Sequence, residues 1–146
     1  MTKTDPRIDA AWRAIHRADK CIQSILDTAL NQARLPNTEV YSALCELHTN
    51  PQQKSAKDLE NALLLPQYGV SRLLSRMERS GLISRTSGKS DHRKKILKLT
   101  KKGERQLAEM SRVYQAALAE HLGERMKLGQ LERIARLLSL LDDDTD

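Results

Sequence analysis

Phenylalanine is absent from these 146 residues, and the aromatic set is one Trp and three Tyr. What remains is a chain dominated by Leu, Ala, Arg, Lys and Glu. That is a helical, globular composition at the size of one ordinary domain, long enough to bury a core. Only two cysteines are present, Cys21 and Cys45, at a spacing that suits neither a disulfide framework nor a zinc site. His16, His48, His92 and His121 are scattered without ligand-like spacing, so no metal is expected. There is no phosphate-binding loop and no nucleophile–base pairing, which leaves no catalytic residues to name, no cofactor, and no enzyme. No run approaches the ~20 apolar residues needed to span a bilayer. The opening MTKTDPRIDAAWRAIHRADK lacks the apolar centre of a signal peptide. A soluble, cytoplasmic protein without a membrane partner is therefore expected. No internal repeat is present.

Charge of one sign is concentrated in one place. The net charge is +6, yet Arg85 to Lys102 alone carries eight Lys or Arg against Asp91, so the rest of the chain sums to about −1. A solubilising surface mixes its signs, whereas a local basic patch is what a polyanion-binding surface needs.

Apolar periodicity supplies the frame. Ile8, Ala11, Trp12, Ile15, Ile22, Ile25, Leu26, Ala29 and Leu30 recur in steps of three and four, which predicts an amphipathic helix of about six turns. Pro36 closes it, and Thr38 is placed to cap a second helix with Val40, Leu44 and Leu47 inward. Ser55 and Asp58 resemble a capping box for a short third helix carrying Leu59 and Leu63. Pro66 suits the first turn of a fourth, where Val70, Leu73, Leu74 and Met77 face inward and Gly81 supplies the stop. Two short helices joined by a tight connection read as a helix-turn-helix. Strands are predicted over Leu82 to Thr86 and Ile96 to Leu99 around a polar, Gly-containing turn. A long helix from about Thr100 to Lys127 and a last one from Gln130 to Leu141 follow.

On the fourth helix, Gln67, Tyr68, Ser71, Arg72, Ser75 and Arg76 fall opposite the apolar stripe. Gln, Ser and Arg are the side chains that hydrogen-bond base edges, Arg pairing with guanine and Gln with adenine. In the hairpin, Arg93 at the tip is the candidate for insertion into a minor groove. Asp91 would fix an arginine by a bidentate bond, with Arg93 or Arg85 as its partner. Arg85, Lys89, Asp91, Arg93, Lys94 and Lys95 make up the candidate DNA-binding wing, and Lys89, Lys94, Lys95 and Lys98 are placed to touch phosphates. The apolar stripes of the first and last two helices lie outside this lobe and need cover. A second copy of the chain is the expected cover, twofold dimers being the commonest oligomers.

The helix pair LxxxLLLPQYGVSRLLSRMERSGLI, the triplet Asp91-His92-Arg93, then Lys98-Leu99-Thr100 and Gly103 resemble the MarR family of winged helix-turn-helix transcription regulators. The resemblance covers nearly the whole chain. It implies a mainly α fold with a small β-hairpin wing: one domain, with a DNA-binding lobe over 36–100 and dimerisation helices over 8–33 and 101–141. It also implies a homodimer on pseudo-palindromic double-stranded DNA, with Asp91 positioning Arg93. Pro66 departs from the pattern, since many relatives start the recognition helix with Ser or Thr. The family also implies a small aromatic or anionic effector. Trp12, His16, Tyr41 and His48, together with Arg13, are the candidate lining residues, although the same side chains serve equally as packing or surface. A redox branch of the family uses a cysteine near the first helix; Cys21 is its candidate, half-buried beside Ala18 and Ile22, without a tyrosine pattern to lower its pKa. The alternative of another class is a winged-helix interaction module that reads no DNA.

Overall fold

In the computed structural model, the described residues are 3–50, 54–87 and 95–142. Six α-helices and a two-stranded hairpin succeed one another among them: α1 (Pro6–Gln32), α2 (Thr38–Thr49), α3 (Ala56–Leu63), α4 (Gln67–Arg79), β1 (Ile83–Ser87), β2 (Lys95–Leu99), α5 (Lys101–Leu118) and α6 (Leu128–Leu138). This is a mainly helical winged-helix fold. The chain divides into two compact units, residues 27–114 and residues 1–26 with 115–146, the boundaries falling within α1 and α5.

The unit of residues 27–114 holds a continuous core. Leu30 of α1, Ala43 and Leu44 of α2, Leu59 of α3, Val70 and Leu74 of α4 and Met110 of α5 are fully buried. Each large side chain among them stabilises the fold by about 1.5–3 kcal/mol through removal of apolar surface from water. Local capping decides where its helices begin. Asn37, and not Thr38, caps α2: its side chain accepts the Val40 N–H at 3.2 Å. Thr38 instead gives its own N–H to the Asp27 carboxylate at 2.8 Å, a partner that local spacing could not reveal. The Ser55–Asp58 capping box is complete, each side chain accepting the other residue's backbone N–H; a cap of this kind is worth ~1 kcal/mol. Leu64 ends α3 in the left-handed region at φ 53°, and Pro66 stands just before α4 in extended conformation, so α4 begins one residue later than expected.

Gly81, at φ +75°, lets the chain reverse after α4, and Leu82 donates back to the Met77 carbonyl at 2.9 Å. The strands pair antiparallel, from Ile83 opposite Leu99 to Ser87 opposite Lys95. Lys54 adds a single bridge to the outer edge of β2, its carbonyl accepting Leu97 N–H at 2.8 Å. Its ammonium meets Glu46 of α2 at 2.6 Å, and this pairing holds the Glu46 carboxyl below its usual pKa.

Thr100 joins the hairpin to α5. Its N–H donates to the Leu82 carbonyl at 3.1 Å, its hydroxyl donates to the Gly81 carbonyl, and its Oγ1 accepts Gly103 N–H at 3.0 Å. Lys102 reaches the Ser80 carbonyl at 2.7 Å. The C-terminal end of α4 and the first turn of α5 are thus bonded directly to each other.

The other unit is the opposite case. Among its described residues only Leu26 is buried, while Ile8, Trp12, Ile134, Leu137, Leu138, Leu140 and Leu141 are exposed. The expected helix to Lys127 is shorter: α5 ends at Leu118 and widens into a π-helical turn, Ala119–Gly123. Gly123 explains the stop, since glycine disfavours helix continuation by about 1 kcal/mol. The last helix starts two residues before Gln130, whose side chain accepts Lys127 N–H at 2.9 Å, and finishes in a 3-10 turn, Ser139–Leu141. No helix among the described residues is long and apolar enough to cross a membrane.

Candidate nucleic-acid interface

The inward stripe of α4, Val70, Leu73, Leu74 and Met77, is buried and fixes the helix's rotation. Everything opposite it then faces solvent. Gln67, Tyr68, Ser71, Arg72, Ser75 and Arg76 are all exposed, Tyr68 by 70%. Five of the six line one open cleft of about 630 Å³, which Gln67 does not. Arg79 and Glu39 line it too. Arg79 continues the step Arg72, Arg76, Arg79 and is legible in the sequence. Glu39 comes from the first turn of α2 and is not; its carboxylate lies 4.0 Å from the Arg76 guanidinium. No acidic residue occupies the first turn of α4, and Arg76 and Arg79 sit in its last.

The hairpin contributes cations from its described part. Lys95 and Lys98 are exposed on β2. Arg85, on β1, is held by a partner the sequence does not indicate, its Nε donating to Glu78 Oε2 of α4 at 2.7 Å. Lys89, Asp91, Arg93 and Lys94, with His92, lie outside the described residues.

The candidate effector residues fall into two pairs in different units. Trp12 and His16, one turn apart on α1, have ring centroids 5.5 Å apart at a 36° tilt. Trp12 is exposed and lines an open cleft with Pro6, Ile8 and Asp9. Tyr41 stacks on Tyr114 of α5, centroids 4.2 Å apart, with its hydroxyl 3.4 Å from Ser111 Oγ. Burial raises the pKa of both tyrosines. His48 is exposed in the last turn of α2. Tyr114 and Ser111 are thus members of the Tyr41 cluster that only the tertiary packing identifies. Cys45 joins it half-buried, and burial pushes its thiol pKa up, away from the reactive thiolate. Cys21 is exposed and not half-buried as expected: in this part of α1 its neighbours Asp19, Lys20, Gln23 and Ser24 are exposed as well.

Residues 35–94, which span α2, the helix-turn-helix and the start of the wing, match the model of the MarR family. Over this segment, about two fifths of its length, the chain is similar to the MarR family. Solved structures extend the likeness of fold over nearly the whole length. Sco3205 from Streptomyces coelicolor, a MarR family transcriptional regulator in complex with DNA, matches with a TM-score of 0.85 at 18% identity, over 97% of this chain and 89% of its own. A mutant MarR from E. coli complexed with operator DNA matches with a TM-score of 0.83 at 18% identity, over 97% of this chain and all of its own. CouR from Rhodococcus jostii RHA1, bound to p-coumaroyl-CoA, matches with a TM-score of 0.78 at 20% identity, over 91% and 92%.

Proposed function

We propose that this chain is a MarR family, sequence-specific, DNA-binding transcription regulator that acts as a homodimer on a pseudo-palindromic operator. The observation that carries this reading is the outer face of α4. Its Tyr, Ser and Arg side chains are exposed along one cleft, beside a hairpin whose Lys95 and Lys98 are open to solvent. Arg72 and Arg76 suit guanine edges, Gln67 suits adenine, and Ser71 and Ser75 accept either. Tyr68 is placed for a phosphate or sugar contact. Lys95, with Lys89 and Lys94, supplies phosphate contacts that carry affinity without sequence choice. Arg93, oriented by Asp91, takes the minor groove. The DNA complexes of Sco3205 and of the MarR mutant support the ligand class.

The exposed Ile8, Trp12, Ile134, Leu137 and Leu141 support the dimer. A set of large apolar side chains of this kind marks an interaction surface, and a second copy covers it isologously. The p-coumaroyl-CoA complex of CouR supports a small aromatic or anionic effector for this chain as well; the Tyr41–Tyr114 stack and the Trp12–His16 pair are its aromatic candidates. With this function goes a cytoplasmic location.

Binding to duplex DNA is expected to weaken steeply with salt, with a log–log slope of about −0.9 per phosphate neutralised. Fluorescence anisotropy on a labelled duplex across an ionic-strength series measures it. A flat response, or no binding in dilute buffer, would leave the interaction-module alternative standing.

A further inference from the structure

We propose that Arg85 is a positioning residue of the wing and not a phosphate anchor. Glu78 of the recognition helix holds its guanidinium, and the pair sets the angle at which the hairpin leaves α4. The inference rests on the DNA-binding function proposed above and assigns a role within it.

The parity of β1 comes first. Alternate residues of a strand share a face, so Arg85 lies on the same face as Ile83, which is buried. Across the ladder Arg85 sits opposite Leu97, also buried. Arg85 thus starts from the core-facing side of the hairpin, where it meets α4, with Nε 2.7 Å from Glu78 Oε2. This is a short, charge-assisted bond. Lys95 and Lys98 have no ion-pair partner among the described residues, so of these residues they are the wing cations available to phosphate.

Leverage is the second consideration. The base of β1 is fixed by packing of Leu82 and Ile83 and by the Thr100 bonds. Beyond Ile83, every residue of β1 is exposed, so apolar packing no longer fixes its inclination. Among the described residues, the Arg85–Glu78 pair is the one ion pair tying this outer part of the strand to α4.

Charge is the third. Glu78 is a carboxylate on a helix that faces a polyanion, where an unpaired negative charge would oppose binding. Paired with Arg85, the two sum to zero and displace no counterion, so Arg85 should be silent in the salt dependence.

The experiment uses the full chain with Arg85→Ala, Glu78→Gln and the double substitution. Each is titrated with a duplex enriched by the wild type from a random pool and with a scrambled duplex, over a salt series. Each single substitution is expected to weaken the enriched duplex roughly twofold to fivefold, the size of an exposed ion pair. The double substitution should be no weaker than Arg85→Ala alone, because both members remove one shared interaction. The salt slope should stay as in wild type, and the double substitution, which leaves no unpaired charge, should also leave the scrambled duplex unchanged. A slope shallower by about one unit for Arg85→Ala, tighter binding by Glu78→Gln, or unchanged affinity for both singles overturns the proposal. Failure of the wild type on both duplexes is a different result, and it sinks the DNA-binding function itself.

Discussion

Replacing Arg72 with alanine is expected to weaken binding to a preferred duplex by about 1–3 kcal/mol, the worth of one good bidentate base contact, or roughly tenfold to a hundredfold. Binding to scrambled DNA should hardly change. Arg72 is the sharper test among the α4 arginines because of its surroundings. The Arg76 guanidinium already leans toward Glu39 and Arg79 is the last residue of the helix. Arg72 lies near the middle of the exposed face, in the cleft, with no ion-pair partner among the described residues. Lys95→Ala is the comparison. Removing a phosphate-binding ammonium there should weaken both duplexes alike and make the salt slope shallower by about one unit. Equal losses on both duplexes for Arg72→Ala would remove it from base reading.

The second large effect is on stability. Gly103→Ala is expected to lower the thermal midpoint by about 10 °C, from a loss of ~3 kcal/mol in a chain of this size. A Cβ at Gly103 would fall well inside contact distance of the Leu82 carbonyl oxygen and 3.3 Å from Leu99 Cδ2. The Leu82 carbonyl cannot yield easily. Leu82 is buried, and its carbonyl accepts the Thr100 N–H; moving it would break the joint between α4 and α5. Gly129→Ala is the control. A Cβ there meets nothing within 4 Å, so alanine should leave the midpoint unchanged or raise it slightly through helix propensity. Calorimetry of both variants at one protein concentration decides it, and a Gly103→Ala midpoint equal to wild type would show that the close approach is not limiting.

How much of the molecule is legible in its sequence depends on the range of the interaction. The buried stripe of α4, the Ser55–Asp58 cap and the Gly81 stop depend on residues within about one helical turn of each other, and all three stand where periodicity and capping chemistry put them. The exposed face of α4 follows from its buried one. Thr38 reads as a cap in the sequence because its true partner, Asp27, is eleven residues away on α1. Lys54 at the edge of β2, Glu39 beside Arg76, Glu78 on Arg85 and Tyr41 on Tyr114 are all tertiary pairings between elements. No local rule selects these partners. Gly103 stands out in the sequence only as part of a family pattern; the physical need for it is the Leu82 carbonyl, visible only once β2 and α5 are placed.

Whether a pair of these chains reads DNA through two α4 faces is tested most directly by selecting bound fragments from a random duplex pool. Enrichment of two inverted half-sites with centres about 10 base pairs apart, one helical turn or ~34 Å, is the expected result. A pool that stays random after repeated rounds, or one that yields a lone half-site bound by a single protomer, would contradict it.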